Sequence, residues 1–146
     1  MSLARVLLVD DEVPFVETMV KRLSKRDFEL YTAYSGQEAL DVLEKETEMG
    51  LDVIILDVKM PGMDGIDTLK EIKKRFPLVE VIMLTAHATV ESAIEGMKIG
   101  AFDYLMKPAE IDELVEKVKK AEHIKRYKEE KIAEAKAMDI VYRRGD

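Results

Sequence analysis

The chain has 146 residues, of which 47% are hydrophobic and 36% are charged, and its formal net charge is -7. This length and balance are those of one globular domain with a sizeable core, and the acidic excess disfavours nucleic-acid binding by the domain itself. The sequence has no cysteine, which excludes disulfides, zinc–thiolate sites and cysteine nucleophiles. No apolar stretch approaches the roughly 18 residues of a membrane span, and none forms a signal-peptide core, so we expect a cytoplasmic protein without a membrane partner.

Short apolar runs alternate with amphipathic segments along the chain. The first run, VLLV at residues 6–9, is uninterrupted, as in a strand that is buried on both faces. The same criteria predict further strands at 28–34, 52–57, 79–86 and 101–108, and helices at 13–26, 35–46, 66–76, 89–99 and from 110 past 132. Five alternations of strand and helix predict one α/β domain whose parallel sheet carries helices on both faces.

Polar side chains stand where four of the predicted strands end. Asp10 and Asp11 follow the first strand, and the third, fourth and fifth end at or beside Asp57, Thr85 and Lys107 respectively. Because the carboxyl ends of parallel strands share one edge of a sheet, we expect these side chains to converge. Crowded carboxylates need a cation, and oxygen ligands that leave room for water favour Mg²⁺. An ammonium beside them fits an arriving anion, for which a phosphoryl group is the natural candidate.

These residues, with LDVKMPGMDG around Asp57 and with Tyr104 shortly before Lys107-Pro108, resemble the receiver domain of two-component response regulators. The resemblance covers about residues 4–122, with the motifs in order and at the family's spacings. It implies a single doubly wound five-stranded parallel sheet of order 2-1-3-4-5, flanked by five helices of which the last is extended. It also implies a phosphoacceptor signalling domain and not an enzyme that acts on a separate substrate.

The resemblance implies a role for each matching residue. Asp57 would be the nucleophile and phosphorylation site, taking a phosphoryl group from a phosphohistidine on a partner histidine kinase or phosphotransfer protein. Asp11 and Asp57 would bind Mg²⁺ directly, together with the backbone carbonyl of Lys59, and Asp10 would act largely through a bound water. Lys107 would contact a phosphoryl oxygen.

The resemblance also implies a conformational switch and two side chains that set the rate of dephosphorylation. Thr85 would hydrogen-bond the phosphoryl group, Tyr104 would turn inward when Thr85 moves, and the Lys107-Pro108 bond would be cis. Side chains two residues after the phosphoacceptor and after the threonine, here Lys59 and His87, would tune dephosphorylation. Lys59 has only donors and cannot accept a proton from water, so we expect slow loss of phosphate.

Other interpretations of the same residues remain open. Asp10 and Asp11 fit helix caps, Tyr104 fits plain core packing, and Asp64 fits a cap on the helix that follows it. A phosphatase of the haloacid dehalogenase type would carry a second acid where Lys59 stands. A flavodoxin-like carrier would need a phosphate loop rich in Ser, Thr and Gly after the first strand, where the two acids would instead repel a flavin phosphate.

Residues 123–146 form a charged C-terminal extension or linker. An apolar face at Ile111, Leu114 and Val118 should pack on the sheet, but no clean heptad continues beyond it. The chain is locally basic from residue 119 to 131, with Lys119, Lys120, Lys125, Arg126, Lys128 and Lys131. The extension fits a solvated helix, or a linker helix to an output domain missing from this chain with a homodimer contact. We favour a fragment of a longer regulator over a complete single-domain regulator.

Overall fold

The structure, a computed structural model, describes residues 3–45 and 50–144. Its five strands are β1 (Ala4–Val9), β2 (Phe28–Ala33), β3 (Val53–Leu56), β4 (Glu80–Thr85) and β5 (Asp103–Met106). Its α-helices are α1 (Val13–Leu23), α2 (Gly36–Lys45), α3 (Gly65–Arg75), α4 (Val90–Ile99) and α5 (Ile111–Arg144). Among the described residues, no helix is both long and apolar enough to cross a membrane.

The five strands form one parallel sheet in the order β2-β1-β3-β4-β5. The predicted α/β class, strand order and number of helices are therefore confirmed. In the register of the central pair, Val9 lies opposite Leu56, which brings the residues that follow these two strands to the same edge. The polar residues that the sequence places at the carboxyl ends of the strands lie along that edge.

The apolar runs of the central strands are buried on both faces. Leu7, Ile54 and Met83 face α2 and α3, where they pack in one cluster with Leu40 and Leu69. The alternate residues of the same strands face α1 and α5 and form a second cluster, whose members include Val6, Leu8, Ile55, Ile82, Val16 and Leu114. Burial on both faces explains why these strands read as uninterrupted apolar runs instead of alternating patterns.

The structure corrects several predicted boundaries. The first helix ends at Leu23, and Ser24–Arg26 form a 3₁₀ turn. Asp27 then ends this turn with a left-handed φ of 62°, which no helix can include. The last strand is limited to Asp103–Met106. Glu46, predicted to end the second helix, and residues 145–146 of the predicted extension lie outside the described part of the chain.

Helix α5 continues well past the region that packs on the sheet. Leu114, Val115, Val118 and Ala121 are buried, as predicted for its apolar face. Lys125 is also buried, at 6% exposure. From residue 127 to 143 every described side chain is exposed, so the last four turns of α5 project from the domain.

Candidate functional site

Three carboxylates meet at the carboxyl edge of the sheet. The backbone N–H of Asp57 donates to the carbonyl of Val9 at 3.0 Å, which holds the residue after β3 beside the end of β1. Asp10, Asp11 and Asp57 each offer a carboxylate oxygen, and these atoms lie within 4.8 Å of one another. Asp10 and Asp57 are buried, whereas Asp11 is exposed, so the cluster is open to solvent on one side.

The negative charge of Asp57 is only partly compensated by its neighbours in this cluster. Burial, and next the negative charge of Asp10, raise the pKa of Asp57 above its ordinary value. A hydrogen bond from Thr85, the charge of Lys107 and the N–H of Val58, which donates at 2.9 Å, offset this only in part. The ionised carboxylate is therefore incompletely compensated by the protein's own groups.

Asp10 is fixed by the turn into α1 and not by a role as helix cap. The N-cap residue of α1 is Glu12, so the interpretation of Asp10 and Asp11 as caps is wrong. The carboxylate of Asp10 instead accepts the backbone N–H of Glu12 at 2.9 Å. This bond aims the second oxygen of Asp10 at its cationic neighbour.

That neighbour is Lys107, which follows β5. Its backbone N–H donates to the carbonyl of Thr85 at 2.9 Å, and the Lys107-Pro108 bond is cis, as expected. Its Nζ lies 2.6 Å from Oδ2 of Asp10 and 3.9 Å from the centroid of the Phe15 ring. Helical spacing in the sequence is enough to place Phe15 on the apolar face of α1, but it does not reveal which cation will lie over the ring.

The two residues predicted to form the switch lie on neighbouring strands. Thr85 is fully buried, and its hydroxyl oxygen accepts the backbone N–H of His87 at 3.0 Å. Tyr104 is half-buried, and its hydroxyl lies 2.6 Å from Oγ of Ser92 near the start of α4. Ser92 was not singled out in the sequence. It also forms a capping box with Thr89, so the tyrosine hydroxyl is linked to the cap of α4.

The two predicted tuning residues stand at the rim. Lys59 and His87 are both exposed, one in the loop after Asp57 and the other in the loop after Thr85. Neither takes part in the hydrogen bonds that assemble the carboxylate cluster among the described residues.

Gly65 lets α3 begin directly under the loop after Asp57. Its N–H donates to the carbonyl of Val58 at 2.7 Å, and a Cβ at this position would overlap the carbonyl oxygen of Asp57 and the Cα of Val58. Asp64 accepts the N–H of Asp67 at 2.8 Å and is the N-cap of α3. The predicted capping role of Asp64 is confirmed.

A hard divalent cation fits the carboxylate cluster. It would supply the positive charge that Asp57 lacks, and carboxylate oxygens with an open, solvated side are the donor set that suits Mg²⁺. Lys107 neutralises one of the three acids, so the protein reduces the repulsion without filling the place of a metal.

A second charged cluster occupies the opposite edge of the sheet. Asp52, just before β3, is buried and receives the N–H of Arg5 at 2.9 Å, Nζ of Lys125 at 3.1 Å and the guanidinium of Arg126 at 2.9 Å. Nearby, Lys128 lies 3.5 Å from Glu80. Three cations of the basic segment in α5 therefore contact the domain. The partners are 73 or 74 residues away from Asp52 for Lys125 and Arg126, beyond the reach of any local sequence pattern.

Comparison with known proteins agrees with this arrangement. The family model for the response regulator receiver domain matches residues 6–119. The chain is 38% identical over 150 residues to the DNA-binding transcriptional regulator NtrC of Klebsiella pneumoniae, covering 93% of this chain and 31% of that protein. It is 40% identical over 116 residues to the transcriptional regulatory protein ZraR of Salmonella typhimurium, covering 80% of this chain and 26% of that protein.

Solved structures give the same result. A response regulator receiver domain protein from Clostridium thermocellum matches with a TM-score of 0.81 and 38% identity over 86% of this chain and 98% of that one. NtrX from Brucella abortus matches with a TM-score of 0.79 and 31% identity over 88% of this chain and 29% of NtrX. The chain spans about a third or less of the curated relatives described above. By its family model, its relatives and its fold, the chain belongs to the response regulator receiver domain family.

Proposed function

We propose that this domain receives a phosphoryl group on Asp57 from a phosphohistidine of a partner histidine kinase or phosphotransfer protein. One observation carries the proposal. Three carboxylate oxygens lie within 4.8 Å of one another at the carboxyl edge of the sheet, and an ammonium lies 2.6 Å from one of these acids. Such a site suits a metal and an anion together, and burial and the charge of Asp10 leave the negative charge of Asp57 only partly compensated.

The transfer needs little from the protein beyond positioning and charge. An oxygen of Asp57 attacks the phosphorus, the P–N bond to the donor imidazole breaks, and the leaving nitrogen keeps the electron pair. Asp11, Asp57 and the carbonyl of Lys59 would hold Mg²⁺, with Asp10 bound through water. When bound, the ion neutralises the phosphoryl oxygens. Lys107 contacts one of those oxygens, and Thr85 donates to another.

Phosphorylation then biases a switch. The single negative charge of the Asp57 carboxylate is replaced by a phosphoryl group that carries about -1.5 to -2 charges, and the bond from Thr85 is worth roughly 1.5–3 kcal/mol. Tyr104 leaves its bond to Ser92 and turns inward, which alters the face formed by α4, β5 and α5. The exposed side chains of Val90, Ile94, Met97 and Met106 give that face the apolar character of a contact surface.

The signal is long-lived. Lys59 and His87 stand exposed in the two loops beside Asp57 and Thr85, where they tune the attack of water on the acyl phosphate. Lys59 offers donors only, so it does not orient a water by accepting its proton.

The output lies outside this domain. The curated relatives are named as transcriptional regulators and are about three times as long as this chain. We propose that residues 4–122 are the receiver and that 123–146 form a helical linker to an output domain, with a homodimer contact along it. The receiver is cytoplasmic, catalyses only its own phosphorylation and dephosphorylation, and binds neither membrane nor nucleic acid directly.

The test is incubation with Mg²⁺ and acetyl phosphate, followed by intact-mass measurement. We expect one phosphoryl group per chain, none on the Asp57→Ala variant, and none on the Asp11→Ala variant, which should also lose stabilisation by Mg²⁺. Continuous turnover of the phosphodonor would identify a phosphatase instead. A chain that ignores the donor and binds flavin would be a carrier of the flavodoxin type.

A further inference from the structure

The ammonium of Lys107 is held on two sides. Its Nζ lies 2.6 Å from Oδ2 of Asp10 and 3.9 Å from the centroid of the Phe15 ring. The side chain of Lys107 is only 11% exposed. A cation this close to the face of an aromatic ring is attracted by the ring's quadrupole, and more strongly where water is excluded.

The two partners of Lys107 differ in what a bound metal does to them. Asp10 belongs to the carboxylate cluster, so a divalent cation there competes with Lys107 for its charge. A hard divalent cation prefers oxygen ligands to an aromatic ring. The attraction of the Phe15 ring for the ammonium therefore persists when a metal is bound. A lysine side chain has a long flexible stem and loses much rotamer entropy when it is fixed. The ring therefore keeps Lys107 in place when Asp10 releases it.

The chain places the ring and the metal ligand together. Phe15 is the third residue of α1, and this helix starts three residues after Asp10. A proline in its first turn limits the backbone freedom of this segment. The same short turn thus sets the position of the carboxylate and of the ring on either side of Lys107.

We propose that Phe15 is a positioning residue for Lys107, and that its ring holds the ammonium over the site so that it meets the incoming phosphoryl oxygen. This inference rests on the proposed phosphoacceptor function. It goes beyond that function because it assigns a role to an aromatic residue that would contact neither the bound metal ion nor the phosphoryl group.

The competing explanation is that Phe15 only fills space in the second core cluster, against which it packs. Leucine or methionine would then replace it without a specific effect on Lys107. The informative variants are Phe15→Leu and Phe15→Met, which remove the ring, and Phe15→Tyr, which keeps it. Phe102→Leu is the matched control, because Phe102 packs against the same cluster.

The first measurement needs no metal and no phosphodonor. In NMR spectra of the full chain, the ε-methylene and ammonium protons of Lys107 should show an upfield ring-current shift. We expect the shift to vanish in Phe15→Leu and Phe15→Met and to persist in Phe15→Tyr and Phe102→Leu. Ordinary lysine shifts for Lys107 in the wild-type chain would overturn the inference.

The second measurement is the rate of phosphorylation by acetyl phosphate at saturating Mg²⁺. Removal of the ring should slow it by about 2- to 10-fold while the Kd for Mg²⁺, followed by titration, changes by less than about 2-fold. Phe15→Tyr, which keeps the ring, and Phe102→Leu should both be phosphorylated at the wild-type rate. Equal rates with and without the ring would overturn this inference alone, whereas a wild-type chain that takes up no phosphoryl group would overturn the proposed function beneath it.

Discussion

Replacement of Asp52 by asparagine should destabilise the domain strongly, although Asp52 lies at the opposite edge of the sheet from the proposed phosphoacceptor site. The buried carboxylate receives Nζ of Lys125, the guanidinium of Arg126 and the backbone N–H of Arg5. The Asp52→Asn variant keeps the shape of the side chain but leaves Lys125, which is 6% exposed, without its buried counter-charge.

The size of the effect follows from burial. Breaking a buried ion pair by removing one partner costs about 3–5 kcal/mol. We expect the lower end, about 3 kcal/mol, because Lys125 keeps Glu129 at 2.9 Å and because Arg126 is partly exposed. For a chain of this size the loss corresponds to a fall in Tm on the order of 10 °C.

The pH dependence supplies an independent check on the same variant. Burial would raise the pKa of Asp52, but the hydrogen bonds from Arg126 and Arg5 and the charge of Lys125 together lower it below its ordinary value. A carboxyl whose folded pKa is depressed stabilises the protein above its unfolded pKa of about 3.9, and this contribution is lost as the pH falls through the folded value. The difference between wild type and Asp52→Asn should therefore shrink below about pH 4.

Urea unfolding at pH 7 and at several acidic pH values measures both effects. Glu129→Gln is the matched control, because it removes the exposed partner of Lys125 and should cost no more than about 1 kcal/mol. Hydrogen exchange should also rise in α5 near Lys125 in the Asp52 variant. A loss of less than about 1 kcal/mol, or a difference that does not depend on pH, would refute the reasoning that this cluster anchors the helix.

Four further outcomes follow from the site. Gly65→Ala should destabilise the domain by about 1–3 kcal/mol and slow phosphorylation, because the new Cβ overlaps backbone atoms after Asp57; urea unfolding and phosphorylation rates measure this. Asp57→Asn should stabilise the metal-free domain at pH 7, since a folded pKa raised by burial and Asp10 makes the ionised form destabilising, and this gain should disappear below about pH 4 in thermal melts. Lys59→Asn should speed loss of the acyl phosphate without altering its Mg²⁺ dependence. Slower decay would contradict the inference that Lys59 slows hydrolysis because it offers only hydrogen-bond donors. Ser92→Ala should free the Tyr104 hydroxyl from its 2.6 Å contact and increase exchange of its ring signals in relaxation-dispersion NMR, whereas an unchanged profile would show that this contact does not restrain the ring.

The sequence was sufficient for those parts of the molecule that chain order and sheet geometry determine. Uninterrupted apolar runs predicted strands buried on two faces, and the alternation with helices predicted a parallel sheet. From that arrangement alone, residues as distant as Asp10 and Lys107 were expected at one edge, and the structure places them 2.6 Å apart. The parallel sheet itself places the residues that directly follow its central strands at one edge, whatever their separation in the sequence.

Contacts between side chains that depend on the path of a helix could not be predicted. The contacts of Phe15 with Lys107 and of Ser92 with Tyr104 depend on how α1 and α4 are placed against the sheet. The spacing of apolar residues does not specify that placement. Lys125 was one of several cations in a basic segment, and only the length and direction of α5 place it, and not Lys119 or Lys120, beside Asp52.

The four-residue strand β3 carries a buried aspartate at each end, and the two differ in how they are compensated. Asp52 is surrounded by two cations and a backbone donor of the protein itself, and its pKa is lowered. Asp57 faces burial and another carboxylate, and its pKa is raised. A buried acid that the protein satisfies completely has no use for a ligand and contributes stability, whereas one left short of positive charge is poised to bind a cation and react. The same strand thus anchors the long helix at one end and presents the proposed nucleophile at the other.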